Sequence, residues 1–315
     1  MNTKSQIINA SASPPEGDLG GFAPIILFTY NRPTHTHKTL EALCNNHLCA
    51  ESELFIFSDG YKNESDKSDV LAVRKIISSI DGFKRTYIFE NEHNIGLAQN
   101  VINGVSHVVN KYGKVIVLED DLVTSPFFLT FMNEALDKFA HAERIGHIHG
   151  YCFPIPNLPD AFLIKWTGSW GWATWKRAWQ RFNPDGLALL IELQEQKLTK
   201  TFDFNGNYPF TRMLKRQIRG ENNSWAIRWN ASLFLNDMLS VNVGKSLVRN
   251  IGFDGSGVHS GKNNSWATEL YNEKLNIEVI SEICENEQAR KAFSKYYGQV
   301  NGFWAKIKHR LTSNL

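Results

Sequence analysis

The stretch KVIVLEDDLV, residues 114–123, decides how the rest of the chain is read. Lys114 to Leu118 is the kind of aliphatic, β-branched run that forms a strand buried on both faces. It passes directly into Glu119, Asp120 and Asp121 before apolar residues resume. Three adjacent carboxylates repel one another, and the end of a buried strand solvates them poorly. A solvated acidic triplet would need no partner. Here Leu118 and Leu122 flank the acids and place them beside a core, so the sequence calls for a positive charge to hold.

Three similar runs lie upstream at nearly constant spacing: PIILFTY (24–30), LFIFSD (54–59) and RTYIFEN (85–91). The segments between them carry helical periodicity. Residues 35–47 present Leu40, Leu43 and His47, residues 68–80 present Leu71, Ile76, Ile77 and Ile80, and residues 97–112 present Leu97, Val101, Val105, Val108 and Tyr112. A strand plus a helix in about 30 residues is the βαβ unit. The first 120 residues are therefore expected to form an open, doubly wound α/β sheet.

Sheets of this class bind ligands outside the carboxyl ends of their strands, where the strand order reverses. The polar residues stand at those ends. The first run delivers Thr29, Tyr30, Asn31 and Arg32, and the second Ser58, Asp59 and Gly60. The third delivers Glu90, Asn91, His93 and Asn94, then Gly96, and the fourth delivers the acidic triplet. Neither GxxxxGK[ST] nor a GxGxxG after the first strand occurs, and GFDGSG (252–257) has its glycines in another order, which argues against a P-loop NTPase or a Rossmann dehydrogenase. A diphosphate bound without a glycine cradle would need a metal ion, and hard carboxylate oxygens favour Mg²⁺ or Mn²⁺.

Composition adds exclusions. The 315 residues are 42% hydrophobic and 21% charged, with a net charge of +2. That is ordinary for a folded chain and gives no electrostatic case for a nucleic-acid partner. Cys44, Cys49, Cys152 and Cys284 are scattered without zinc-ligand spacing and read as reduced thiols. Residues 1–22 read as a disordered leader without a signal-peptide core, and no apolar run is long enough to span a bilayer. A cytoplasmic location is the expectation.

Five tryptophans, Trp166, Trp170, Trp172, Trp175 and Trp179, crowd one segment. They suit either a packed core or a ligand cleft, since aromatic faces stack on sugar rings and bases. Trp170 and Trp172 alternate, whereas Trp172, Trp175 and Trp179 follow helical spacing, so a turn into a helix is expected near Gly171. His147 and His149 alternate at strand spacing and point one way, either as core partners or as metal ligands.

Together these motifs resemble nucleotide-sugar glycosyltransferases of the GT-A fold. The resemblance is strongest to bacterial family-2-like enzymes related to the N-acetylglucosaminyltransferase I group, whose metal motif takes the form EDD. It rests on FTYNRP (28–33), SDG (58–60), NIGLAQN (94–100), EDD (119–121), GSWGWATWKRAW (168–179) and NIGFDGSGVHSG (250–261), and covers roughly residues 23–262.

What the resemblance implies is a metal-dependent transfer of a hexosyl or N-acetylhexosaminyl group from a nucleotide diphosphate sugar, UDP favoured. The acceptor would be a hydroxyl of a glycan or lipid-linked glycan, the outcome inversion, and the setting surface polysaccharide biosynthesis. Thr29, Tyr30, Asn31 and Arg32 would line the nucleotide pocket, Asp59 would meet uracil or ribose, and Asn94, Gly96 and Asn100 would lie beside the nucleotide. Asp121 would ligate the metal, with Glu119 and Asp120 touching ribose, sugar or ordered water. His259, in the loop expected to close over the donor, is a second ligand candidate, and Trp170 and Trp172 would face the acceptor. At the catalytic base the sequence departs from the pattern. GENNSWAIRW (220–229) carries Asn222 and Asn223 where an aspartate is expected, and an amide cannot take a proton. Glu221 and Asp254 remain as candidates.

The implied organisation is a nucleotide-sugar half (23–150), an acceptor-binding and catalytic half (151–275) and a basic, aromatic tail (276–315). Residues 290–310 hold six Lys or Arg and no acid. They suit either peripheral contact with an anionic membrane or a docked helix with a solvated basic face, and Gly298 and Gly302 argue against one continuous helix. Two rival functions compete. A nucleotidylyltransferase would want a glycine-rich, basic loop after the first strand, which FTYNRPTHTHK is not. A nucleotide-sugar or glycan-binding protein without turnover is the other.

Overall fold

The computed structural model describes residues 6–9, 21–253 and 266–301. In chain order its strands are β1 (Gln6–Asn9), β2 (Ile25–Thr29), β3 (Glu53–Ser58), β4 (Arg85–Glu90), β5 (Lys114–Glu119), β6 (Leu122–Thr124), β7 (Ile145–His149), β8 (Ala161–Ile164), β9 (Trp172–Trp175), β10 (Leu239–Val243) and β11 (Val248–Asn250). The helices are α1 (Pro33–Cys44), α2 (Glu64–Ile77), α3 (Leu97–Tyr112), α4 (Phe128–Lys138), α5 (Lys176–Trp179), α6 (Gly186–Glu195), α7 (Thr199–Phe202), α8 (Phe210–Ile218), α9 (Trp225–Leu235) and α10 (Glu287–Asn301).

Among the described residues nine strands form one sheet in the order β1-β4-β3-β2-β5-β9-β7-β10-β8, and β11 and β6 form a separate ribbon. From β1 to β5 all pairing is parallel, whereas β9 runs antiparallel to both β5 and β7. The expected α/β sheet is present, and alternation along β2 shows why these apolar runs must be buried twice. Ile25 and Leu27 pack with Leu40 and Leu43 of α1 and Val73 and Ile77 of α2. Ile26 and Phe28 pack with Val101, Val105 and Val108 of α3 on the opposite face.

Several details differ from the sequence expectation. The leader is not wholly irregular, because Gln6–Asn9 adds β1 beside β4 at the sheet edge; residues 1–5 and 10–20 lie outside the described residues. Helix α2 begins at Glu64, behind an Asn63 cap that accepts from the Asp66 N–H. That phase points Val70, Val73 and Ile77 inward and leaves Leu71 53% exposed. Leu97, the first residue of α3, is exposed as well. His47 lies beyond α1 and stacks edge-on against Phe127.

The halves expected to divide at residue 150 share one sheet, since β9 inserts between β5 and β7. The segment 172–175 is therefore a strand rather than the start of a helix, and only residues 176–179 turn helically. The basic tail is no separate unit where it is described. Helix α10 runs through Gly298 and buries Phe293 and Tyr297 against Phe153 and Trp166. Those two aromatics are unavailable as membrane anchors, and residues 302–310 lie outside the described residues. No described helix is long and apolar enough to cross a membrane.

Candidate functional site

The chain runs outward from β2 to β3 to β4 and then returns to place β5 on the other side of β2. The strand order therefore reverses between β2 and β5, and a crevice is expected at their carboxyl ends. Phe28 of β2 lies opposite Glu119 of β5, so the residues that follow each strand meet across this gap. Arg32 Nη1 lies 2.9 Å from Asp121 Oδ2 and 3.9 Å from Asp120 Oδ1. The Tyr30 N–H donates to Asp120 Oδ2 at 3.2 Å, and Thr39 Oγ1 donates to the Asp120 carbonyl at 2.8 Å. Arg32 is thus the resident positive charge that the triplet requires.

One guanidinium does not neutralise three carboxylates. Burial, and then the charges of Asp121 and Asp120, push the Glu119 carboxyl above the ordinary range; burial and then Asp121 do the same to Asp120. Arg32 opposes both shifts. The buried Arg32 Nε and Nη2 have no hydrogen-bond partner, nor do Thr29 Oγ1 and Ser58 Oγ at the same strand ends. Leaving such groups unpaired costs about 1–3 kcal/mol each. A ligand rich in oxygen acceptors would satisfy the guanidinium.

Of the residues expected to touch a nucleotide, several serve first to build the rim. Asp59 is 4% exposed. Its Oδ1 accepts from the Gly60 N–H, Asn91 Nδ2 and the Ile95 N–H, and its Oδ2 accepts from the Gly96 N–H, all within 2.9–3.1 Å. The carboxylate clamps two loops together, where the sequence reading gave it a base or ribose. Asn94 Nδ2 adds a bond to the Gly60 carbonyl. Gly60 must be glycine, because a Cβ there would lie 2.5 Å from the His93 carbonyl carbon. Gly96, at φ +79°, starts α3, and Asn100 is buried in its first turn. Tyr30 and Asn31 both donate to Asp66 of α2, a partner the sequence did not single out because nothing in a polar helix start marks it.

The β6–β11 ribbon completes the rim. Antiparallel pairing of Leu122 with Asn250 carries the chain back over the triplet, and the Ile251 N–H donates to the Asp121 carbonyl at 2.9 Å. A Cβ on Gly252 would sit 2.2 Å from Asp121 Oδ2 and 2.8 Å from Arg32 Nη2, so any larger residue would push the carboxylate and the guanidinium aside. The loop NIGFDGSGVHSG thus reaches the triplet at its first residues. Asp254 and His259 lie outside the described residues.

Among the described residues no three His, Cys, Asp or Glu side chains converge as a metal cage. His147 and His149 do not join the triplet. Both are buried, and His147 Nδ1 accepts from Trp229 Nε1 at 3.1 Å. Asp121 and Asp120 would suit Mg²⁺ or Mn²⁺, hard cations that need only one or two protein carboxylates beside phosphate oxygens and water.

Beside this rim, Phe253 lines a cleft of about 360 Å³ together with Trp170, Tyr151, Phe153, Trp166 and Trp266. Phe253 packs edge-on against Trp170, with ring centroids 5.4 Å apart. Since Phe253 follows Gly252, one residue links the cleft to the carboxylates. The tryptophan segment is therefore both core and cleft. Trp170 is half-buried and lines the cavity. Trp172 is 1% exposed and packs on His147, Trp225, Trp229 and Trp179, so it presents no face to an acceptor. Trp170→Ala is expected to weaken acceptor use roughly tenfold with little loss of stability, whereas Trp172→Ala should destabilise by about 3–5 kcal/mol. Thermal unfolding beside acceptor KM checks both, and equal destabilisation by the two would refute the division.

Glu221 is not placed to act as a base. It lies on the exposed turn after α8, where Arg219 Nε and Arg216 Nε hold its two oxygens at 2.5 and 3.0 Å. The Arg219 hydrogen bond, followed by that from Arg216, holds its carboxyl below the ordinary range, the wrong direction for accepting a proton near neutrality. It does not line the cleft, and neither does any other described Asp or Glu. Glu221→Gln is expected to change kcat less than about threefold; a fall by orders of magnitude would restore it as the base.

No family model and no curated protein matches the chain. Solved structures similar to it include S. aureus TarS, at 14% identity and TM-score 0.30 over 40% of this chain and 20% of that one. Glucosyl-3-phosphoglycerate synthase from Mycobacterium tuberculosis, in complex with Mn²⁺, UDP and glucosyl-3-phosphoglycerate, matches at 12% identity and TM-score 0.34, covering 77% of this chain and 78% of that one. Mouse xyloside xylosyltransferase 1 matches at 10% identity and TM-score 0.36, covering 69% and 81%. This chain spans only a fifth of the length of TarS.

Proposed function

We propose that the protein is a GT-A-type glycosyltransferase that moves a sugar from a nucleotide diphosphate donor, UDP favoured, to a hydroxyl of a glycan or lipid-linked glycan. One observation carries this reading. An arginine with two unpaired buried nitrogens meets three carboxylates at the strand-order reversal, one residue from an aromatic cleft. A diphosphate suits the guanidinium, which offers planar paired donors. The acids repel that same diphosphate unless a divalent cation stands between. Asp121, with Asp120 beside it, would hold Mn²⁺ or Mg²⁺. When bound, the cation supplies charge stabilisation for a departing diphosphate.

The chain's own residues do the rest. Arg32 orients the diphosphate and offsets its charge. Asp59 fixes the Gly60 and Asn94–Gly96 loops that wall the nucleotide side. Gly252 lets the returning strand close over Asp121, and Trp170 with Phe253 offers ring faces to an acceptor sugar while excluding water. With Glu221 engaged elsewhere, Asp254 is the carboxylate proposed to take the acceptor proton. It follows Gly252 by two residues in the sequence.

The test is release of uridine diphosphate from a panel of UDP-sugars with Mn²⁺, with and without added glycan acceptors. Acceptor-stimulated release from one donor is the expected result, and Asp254→Asn should suppress it. The second reading, a nucleotide-sugar-binding protein without turnover, is favoured by the absence of any described carboxylate in the cleft. Stabilisation by a UDP-sugar and Mn²⁺ with no release from any donor would select it.

A further inference from the structure

Two residues that line the aromatic cleft carry buried polar atoms without a well-formed hydrogen bond. His149, at the end of β7, is 1% exposed, and Trp166 is 6% exposed. Both line the cavity. Their rings meet edge-on, with centroids 5.2 Å apart at 79°. Trp166 Nε1 and both ring nitrogens of His149 lack a well-formed hydrogen bond. The protein group that reaches the imidazole is the Asn242 side chain, opposite it across β10 and β7, which can engage one nitrogen and leaves the other as an acceptor. Two other polar groups of the cleft lining do close their bonds. Asn230 Oδ1 accepts from the Thr167 N–H at 3.0 Å, and Tyr151 OH donates to the Trp266 carbonyl at 2.6 Å. Gly168 presses its bare Cα against the imidazole, since a Cβ there would lie 2.1 Å from His149 Cε1.

The chemistry of the two rings narrows what would satisfy them. An indole N–H only donates, whereas a neutral imidazole donates at one nitrogen and accepts at the other. Burial pushes His149 down to about 3, so it stays neutral in any ordinary buffer. Such an imidazole is a weak base, suited to hold a hydroxyl rather than to take its proton. A hydroxyl accepts and donates at once, so a single one can take the Trp166 N–H and give its own hydrogen to His149. A carboxylate or phosphate can only accept, and no Lys or Arg lines the described cleft to offset its charge. A purely apolar ligand would leave the Trp166 N–H and the His149 acceptor unpaired.

We infer that Trp166 and His149 form a hydroxyl-reading pair that selects a neutral sugar ring in the cleft, its apolar face on Trp170 and one hydroxyl directed at the pair. This deepens the acceptor side of the proposed function and rests on it. The pair sets specificity, and the acid–base step belongs elsewhere. It discriminates by the penalty of leaving its own buried polar groups unpaired, the same effect that lets sites built for a hydroxyl reject deoxy analogues.

The probes are methyl glycosides of glucose, galactose and N-acetylglucosamine, titrated against the ¹⁵N-labelled full-length protein while the indole N–H signals are followed. At least one glycoside is expected to move the Trp166 signal. Among its monodeoxy analogues, one should bind roughly tenfold more weakly. In Trp166→Phe, which keeps the ring and loses the donor, the parent glycoside should weaken by a similar factor and the penalty for that deoxy position should shrink. His149→Phe should behave alike. If no glycoside moves the Trp166 signal, or if no monodeoxy analogue is penalised, the inference is overturned, and neither outcome depends on a variant folding. Uridine diphosphate release measured in parallel separates the two levels. Release without glycoside binding in the cleft overturns the pair and leaves the transferase reading standing; binding without release does the reverse.

Discussion

Asp121→Asn is expected to lower turnover by roughly 100- to 1,000-fold while the protein stays folded. Asp121 is the carboxylate that Arg32 contacts at 2.9 Å and that Gly252 approaches most closely. Its side chain faces the rim instead of supporting the core. The amide keeps the shape and can still face the guanidinium, but it is a poor ligand for a hard cation. The chain has no phosphate-cradling glycine loop, so little remains to hold a diphosphate against Glu119 and Asp120. Excess EDTA should therefore give a comparable loss in the unaltered protein, restored by Mn²⁺ or Mg²⁺. Circular dichroism and thermal unfolding establish that the variant is folded. Full activity in EDTA, or in the Asp121→Asn protein, would mean that Arg32 alone neutralises the leaving group, and the metal assignment would be wrong.

The second large effect is on stability. Asp59→Ala is expected to destabilise by about 3 to 5 kcal/mol, although Asp59 contributes no apolar surface. Its carboxylate serves four donors, three of them backbone N–H groups of tightly apposed loops. Removing it orphans all four at once. The loops have little freedom to regroup, because Gly60 lies directly against the His93 backbone. Amide hydrogen exchange at Ile95 and Gly96 should accelerate before the β-strand amides respond, marking local opening of the rim. Denaturant unfolding measures the total. A loss under about 1 kcal/mol would show that water or rearranged loops replace the carboxylate, and would return Asp59 to the role of a ligand contact.

Legibility in the sequence tracks the range of the interaction. The strands β2 to β5 could be read because burial on both faces leaves continuous apolar runs, and the acids at 119–121 stand out against such a run. The direction of the rim followed as well, since every parallel strand delivers its successor residues to the same edge. Phase was harder to read. Leu71 looks apolar on any scale, yet the Asn63 cap starts α2 where Val70, Val73 and Ile77 face inward. Trp172, Trp175 and Trp179 fit helical spacing, yet the gap between β5 and β7 requires a strand at 172–175.

By itself, then, the sequence determined the α/β sheet, the edge at which chemistry collects, and the acidic triplet with Arg32 among the residues beside it. Those follow from local pattern, because backbone hydrogen bonding and side-chain alternation act within a strand and its neighbours. Which charge answers the triplet was decided only in three dimensions, where Arg32 and Asp121, 89 residues apart, meet at the strand-order reversal. Tertiary packing alone also withdrew Glu221 into its arginine pairs, turned Asp59 into a clamp, sent Trp172 to the core and left Trp170 at the cleft. The reason is common to all four. A side chain's chemistry is set by the partners it meets, and partners brought together by folding leave no trace in the spacing of residues along the chain.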